Sequence, residues 1–283
     1  MTNRTETNDT LRQWEDSAPF WAKHRSTIRT MFAPLTEALI EATQIERGHS
    51  VLDVAGGPGE PSLTIAQTIG NSGSVTCTDA VAEMVETAET EARARGLTNM
   101  KFRQCTAESM PFADNSFDRV VSRLGAMFFP EEALAEILRV TKPGGNIGFV
   151  VWDKSELNPF SYLITNVMSR YINDAPVDLN VPGAFRFAEE GKLAAMLKDA
   201  GAVQARERIF KFHIAAPISP DEFWEMRAGT SETLRAKLAT LSEADSLAVA
   251  RDVKLAVREY FPNNQMKFPG QTRIVTACKP ANS

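Results

Sequence analysis

The sequence predicts an α/β fold, a mostly parallel sheet with helices on both faces, and three observations carry that expectation. Strand and helix patterns alternate from 51 to 152, the pattern of crossover units that lay helices on a parallel sheet. The first strand, Val51-Leu52-Asp53-Val54, runs straight into Ala55-Gly56-Gly57-Pro58-Gly59, and a helical pattern opens at Pro61. A strand, a tight turn and a helix in that order bring bare backbone N–H groups up to a ligand, because glycine has no Cβ to hold it off. A second strand-like run, Ser74 to Thr78, ends at Asp79, where a carboxylate can accept the ribose hydroxyls of a bound nucleoside.

The remaining elements follow in order. Thr2 to Thr10 is polar and reads as frayed. Two N-terminal helices are expected over 11–45, the first mixing Trp14, Phe20 and Trp21 with charges and the second carrying apolar residues at helical spacing from Thr27 to Thr43. Met100 to Cys105 reads as the third strand and Arg119 to Ser122 as the fourth. A helix over Glu131–Val140 is stopped by Lys142-Pro143-Gly144-Gly145, which turns the chain into a fifth strand from Asn146 to Trp152. The alternation then breaks. Pro159 to Tyr171 reads as a helix and Pro176 to Phe187 as a loop, so 153–189 is an insertion. A helix over Glu189–Ala200 closes at Gly201, a sixth strand covers Val203–His213, and Ser219 with Pro220 caps a run of helices reaching Tyr260. Arg273 to Lys279 is the last strand. The whole reads as a single domain over 1–283, with a core at 51–152 and cap insertions at 153–189 and 214–268.

Composition sets limits. A formal charge of −5 over 283 residues with no basic run argues against a nucleic-acid surface, which needs clustered Lys and Arg to replace counterions. Cys77, Cys105 and Cys278 are odd in number, far apart and set in apolar strands, which fits small buried thiols rather than a disulfide. With three histidines and no His-x-x-x-His spacing, no metal site is indicated. No apolar run reaches the length of a membrane span and no apolar segment opens the chain, so a soluble protein in a reducing cytoplasm is expected.

Spacing in the turn bears on the choice of cofactor. A dinucleotide fingerprint needs a third glycine where Ser62 stands. The segment instead resembles the acid-x-G-x-G-x-G signature of class I S-adenosylmethionine methyltransferases through Asp53, Gly57 and Gly59, with Ala55 in the first glycine position. Further on, Ala107, Glu108, Pro111 and Phe112, then Asp114-Asn115-Ser116-Phe117-Asp118, resemble the G-D-A-E-x-L-P-F string and following F-D of the ubiquinone/menaquinone biosynthesis methyltransferases; Cys105 and Thr106 replace the usual glycine and aspartate. Glu136 to Gly145 resembles the E-x-x-R-V-L-K-P-G-G block of the same group. The Asn/Asp-Pro-Pro-aromatic motif of base-methylating enzymes is missing, Ser122-Arg123-Leu124-Gly125 standing in its place.

That resemblance implies a Rossmann-like seven-stranded sheet of order 3-2-1-4-5-7-6, its last strand antiparallel, with a helical cap. S-adenosyl-L-methionine would lie across the carboxyl ends of the first, second and fourth strands, with the insertions roofing the same edge. Asp53, Ala55, Gly56, Gly57 and Gly59 would form the turn at its methionine part, and Asp79 would hold the ribose. Ala80, Met84 and Ala107 would face the adenine, Thr106 or Glu108 would supply the adenine-amino contact, and Ser122 would end the fourth strand beside it. In-line methyl displacement needs alignment more than acid or base chemistry, and a base only to deprotonate the acceptor. Candidates for that base are His24, Asp153, Tyr162 and His213; His49 lies at the wrong end of its strand. Arg123 and Arg186 could hold a carboxylate or polarised oxygen of a small-molecule acceptor, and Phe128, Phe160 and Trp224 could line a pocket for a flat or apolar body. The acceptor, its C, N or O atom and the oligomeric state stay open. Two alternatives stand beside this reading, an NAD(P)-dependent dehydrogenase using the same turn and a non-catalytic module that keeps the fold.

Overall fold

A computed structural model describes residues 3–173 and 178–281. Its seven strands form one sheet in the order β3-β2-β1-β4-β5-β7-β6: β1 (Ser50–Val54), β2 (Ser74–Asp79), β3 (Met100–Gln104), β4 (Phe117–Arg123), β5 (Thr141–Trp152), β6 (Val203–Ala216) and β7 (Met266–Cys278). Neighbours from β3 to β5 are parallel, and β7 runs antiparallel to β5. The order and the antiparallel last strand are those the resemblance implies. Val51, Leu52, Val75, Val120 and Val121 are completely buried, as the strands of a parallel sheet covered on both faces must be. The crossovers are α2 (Ser62–Ile69), α3 (Ala82–Ala94) and α4 (Glu132–Val140).

The chain divides into two compact units. One comprises 1–32, 154–177 and 211–271; the other comprises 33–153, 178–210 and 272–283. Helix α1 (Asn3–Ala42), β6 and β7 contribute to both. In the second unit, the end of α1 approaches β5 at Gly148, where a Cβ would sit 2.1 Å from the Thr43 methyl. Only glycine admits that contact. Helix α6 (Lys192–Asp199) belongs to the same unit.

The first unit is helical, with α5 (Pro159–Met168), α7 (Pro220–Thr230), α8 (Glu232–Ala239) and α9 (Glu243–Ala256). The expected start at Ser219 forms a capping box: its hydroxyl accepts from Glu222 N at 3.3 Å, and the Glu222 carboxylate accepts from Ser219 N at 2.8 Å. Such a cap contributes about 1 kcal/mol. The centre of the unit is aromatic. Phe160, Phe223, Phe261 and Phe268 pack with ring centroids 5.4–5.8 Å apart, and Tyr260 stacks on Phe268 at 4.7 Å.

Three expectations are corrected. The two N-terminal helices are one, α1, which also takes in the described part of the stretch read as frayed. The polar run Lys23 to Thr27 interrupts the apolar pattern without interrupting the helix, and the Thr30 hydroxyl caps back onto Ser26 O within it. Residues 178–189 cluster with the sheet unit rather than with the helices, because Gly183 N donates to Met127 O at 3.1 Å and Phe187 is buried. Of the loop expected at 176–187, residues 176 and 177 lie outside the described residues. Cys77 is buried, but Cys105 and Cys278 are only half-buried. Among the described residues no helix is long and apolar enough to cross a membrane.

Candidate active site

The turn after β1 is shaped by what surrounds it. A Cβ on Gly56 would lie 2.7 Å from Cys77 Sγ and 2.8 Å from Asp53 Oδ2, and one on Gly59 would lie 2.6 Å from Leu63 Cδ1. Neither position has room for a side chain. At Gly57 the reverse holds: a Cβ there would meet nothing within 4 Å, so this backbone faces open space. Ala55 and Gly57 take left-handed φ values of 58° and 56°. Gly56 N donates to Thr78 O at 2.8 Å, fastening the turn to the end of β2.

Asp79 stands beside it. One carboxylate oxygen accepts from Gly57 N at 2.9 Å and the other from Val81 N at 3.0 Å, and the residue remains partly accessible. Burial of the carboxyl pushes its pKa up, against the pull of those backbone N–H groups. A carboxylate offers about four acceptor sites, so lone pairs remain for a diol. Because β2 and β4 flank β1 on opposite sides, the site lies where strand order reverses, the position at which open α/β sheets bind ligands.

Asp53 is different, being sealed from solvent. Its Oδ2 accepts from Ser62 N at 3.1 Å and Ser62 Oγ at 2.6 Å, which holds the first residue of α2, while Oδ1 has no partner. Burial raises its pKa to about 7, although the Ser62 hydrogen bonds act in the other direction. Ser122 is equally buried, its hydroxyl unpartnered. Met84 and Ala107 are buried apolar residues near the rim, and Ala80, Thr106 and Glu108 are partly accessible. Past β3, a shallow depression is lined by Arg103, Cys105, Thr106, Ser109, Met110 and Pro111.

Arg139, on α4, draws two sequence blocks together. It donates to Met110 O at 3.0 Å, to Phe112 O and Asp114 Oδ1 at 2.7 Å, and to both Glu136 oxygens at 2.7 Å. Lys142 Nζ reaches Asp118 Oδ1 at 2.8 Å, and Asp118 Oδ2 accepts from Ser50 N at 2.9 Å, at the start of β1.

The methyltransferase-domain family matches residues 51–145. An uncharacterised protein of Mycobacterium bovis is 40% identical over 124 residues, 43% of this chain and 44% of that protein, so the chain spans less than half the length of this relative. The ubiquinone/menaquinone biosynthesis C-methyltransferase of Cellvibrio japonicus is 34% identical over 176 residues, 58% of this chain and 71% of that enzyme. The chain belongs to the class I S-adenosylmethionine methyltransferases of this ubiquinone/menaquinone group. Among solved structures, phosphoethanolamine N-methyltransferase 2 of Haemonchus contortus, in complex with phosphomonomethylethanolamine and S-adenosylhomocysteine, aligns with a TM-score of 0.58. It is 16% identical and covers 95% of this chain and 60% of that one; at that identity the likeness is one of fold. S-adenosyl-L-methionine is the cofactor of this methyltransferase family, and the open backbone at Gly57 beside the accessible Asp79 suits its aminoacyl and ribose parts.

Other candidates from the sequence fall outside this methyltransferase turn, and several are committed elsewhere. Asp153 is 1% exposed, its Oδ1 accepting from Arg273 Nε at 3.1 Å and Nη2 at 3.0 Å, while Arg273 also pairs with Glu207. It is a structural ion pair, not a base. Arg186, expected to meet the acceptor, is 5% exposed and donates to Phe129 O at 2.5 Å, fastening the 178–187 loop. Arg123 donates to Thr36 Oγ1 at 2.7 Å and Glu60 O at 3.1 Å, so it positions the glycine turn. Phe128 is half-buried.

In the helical unit, His213 is exposed on β6 and Tyr162 is 38% exposed on α5. Half-buried His24 on α1 keeps a sealed, unpartnered Nε2, and burial lowers its pKa. Phe160 is buried in the aromatic cluster and Trp224 is half-buried on α7. Sequence reasoning passed over Arg139 as a clamp and Arg227 on α7 altogether. The second left one signal, an arginine four residues after Phe223 and so on the same helix face.

Proposed function

We propose that the chain moves a methyl group from S-adenosyl-L-methionine to a C, N or O atom of a small aromatic or apolar acceptor. The observation that carries this reading is the half-buried Asp79, its carboxylate hydrogen-bonded to Gly57 N at 2.9 Å where the strand order reverses. When bound, the cofactor supplies an electrophilic methyl group on a sulfonium.

The chain's own residues then have distinct tasks. The Ala55–Gly59 backbone receives the aminoacyl end, and Asp53 and Arg123 keep that turn in place through Ser62 and Glu60. Asp79 accepts the ribose hydroxyls with the lone pairs its backbone donors leave. Ala80, Met84 and Ala107 flank the adenine, and Thr106 or Glu108 takes its amino group. Ser122 closes the fourth-strand side. Holding donor and acceptor in line can contribute roughly 7–11 kcal/mol to lowering the barrier, so the reaction needs no obligatory acid. Where the acceptor must lose a proton, His24, Tyr162 and His213 remain the candidates. A small-molecule acceptor and a cytoplasmic setting accord with the acidic composition and the lack of a basic run.

The dinucleotide alternative loses support at Ser62, whose buried hydroxyl is bound to Asp53 in the position that a fingerprint glycine would occupy. The test is calorimetric titration with S-adenosylhomocysteine. Wild-type protein should bind it, and Asp79→Ala should bind about tenfold or more weakly with an unchanged circular dichroism spectrum, as expected from losing charge-assisted hydrogen bonds. Equal affinity in the two proteins would remove Asp79 from the site. Stabilisation by NADH and not by S-adenosylhomocysteine would reject the reading as a whole.

A further inference from the structure

Arg227 is a half-buried cation whose inner nitrogen is closed off from solvent. Its Nε is sealed from solvent and has no hydrogen-bond partner, and among the described residues no carboxylate pairs with its guanidinium. The guanidinium carbon lies over the face of Phe160, 4.5 Å from the ring centroid. Arg273 is by contrast engaged by Asp153 and Glu207, Arg186 by Phe129 O, and Arg123 by Thr36 and Glu60 O. A ring face recovers only part of what a guanidinium loses on leaving water. Burial lowers the Arg227 pKa to about 10, which still leaves the group charged at neutral pH.

The surroundings describe what would complete it. Phe160 packs edge-on against Phe223 at 5.6 Å and Phe268 at 5.7 Å, so the cation lies on an aromatic bed. Arg227 itself keeps some accessibility, which gives a ligand a way in. A guanidinium presents its donors as a planar fork that matches a carboxylate in two parallel hydrogen bonds. We propose that Arg227 is the receptor for the carboxylate of a small organic acid, bound within the helical unit. The site goes beyond methyl transfer and does not depend on it.

Benzoate and its uncharged analogue benzamide are the probes, titrated calorimetrically into the full chain as wild type, Arg227→Lys and Arg227→Met. Benzoate should bind wild type at millimolar concentration or below, with benzamide about tenfold weaker or more. Arg227→Met should lose benzoate by about tenfold or more, and Arg227→Lys should fall between, keeping the charge without the fork. The melting temperature of Arg227→Met should equal or exceed that of wild type, because an uncompensated buried charge has been replaced by an apolar chain of similar length. A lower melting temperature with unchanged benzoate affinity would make the residue structural and overturn the assignment. Equal binding of benzoate and benzamide, or no benzoate binding by wild type, would overturn it as well. Absence of S-adenosylhomocysteine binding in the same wild-type sample would count against the methyl-transfer reading and leave this one standing.

Discussion

Replacing Asp53 by asparagine should make the protein more stable at alkaline pH. The carboxyl is sealed from solvent and one oxygen has no partner, and burial raises its pKa from 3.8 to about 7. A group whose folded pKa lies above its unfolded value contributes stability that is full below the unfolded value and is lost as pH rises through the folded one. The window is therefore pH 4 to 8. A rise from 3.8 to about 7, at about 1.4 kcal/mol for each tenfold change in proton affinity, amounts to roughly 4 kcal/mol across it. Asparagine is neutral throughout, so the stability of Asp53→Asn relative to wild type should climb by that order between the two pH values. At pH 5 the variant should be the less stable by about 1 kcal/mol, having given up part of the Ser62 hydrogen bonding. Urea unfolding followed by tryptophan fluorescence at pH steps from 4 to 8.5 measures the difference, and titrations common to both proteins cancel in it. A stability difference that stays flat across the window, or slopes the other way, would refute the account of Asp53 as a buried and under-compensated acid.

Arg273→Met should lose roughly 3–5 kcal/mol, because Asp153 and Glu207 would be left as buried charges without their cation; a fall of less than about 1 kcal/mol in urea unfolding would show the pair to be dispensable. Ala55→Gly should gain about 0.5–1 kcal/mol, since Ala55 sits at φ 58°, where a Cβ costs roughly 1–2 kcal/mol and glycine returns part of that as unfolded-chain entropy. A melting temperature below wild type would mean that the turn relies on the Ala55 methyl.

The parts of the fold that were legible in the sequence are those where the backbone dictates the residue. Gly56 and Gly59 have no room for a Cβ, and Gly145 would place one 2.8 Å from Lys142 O and 2.9 Å from Asp118 O. Geometry of that kind writes glycine into the chain, so the turn after β1 and the glycine pair in the first residues of β5 could be read directly. Asp79 was legible for the related reason that it ends a strand beside such a turn. The misreadings have the opposite origin. Asp153 also ends a strand, but its partner Arg273 lies 120 positions away, and no local pattern reveals a pairing at that separation. Arg186 was hidden in the same way by Phe129 O. The apolar spacing of the N-terminal segment reads as two helices where the structure has one, because polarity alters only which face is buried and leaves the backbone hydrogen bonds intact.

The blocks that carry the family resemblance have a physical purpose that bears on what the resemblance can say. Ala107 to Asp118 and Glu136 to Gly145 are not independent matches, because Arg139 holds Met110, Phe112 and Asp114 while Lys142 holds Asp118, which in turn holds the first residue of β1. Their shared work is to fix the segment after β3 and the start of β1 against α4 and β5, and so to set the rim where Gly57 and Asp79 meet. Residues selected for that task report a cofactor site and say nothing of the acceptor. The family match ends at 145, whereas the aromatic cluster and Arg227 come from 160–268. Acceptor chemistry therefore has to be sought outside the blocks that carry the resemblance.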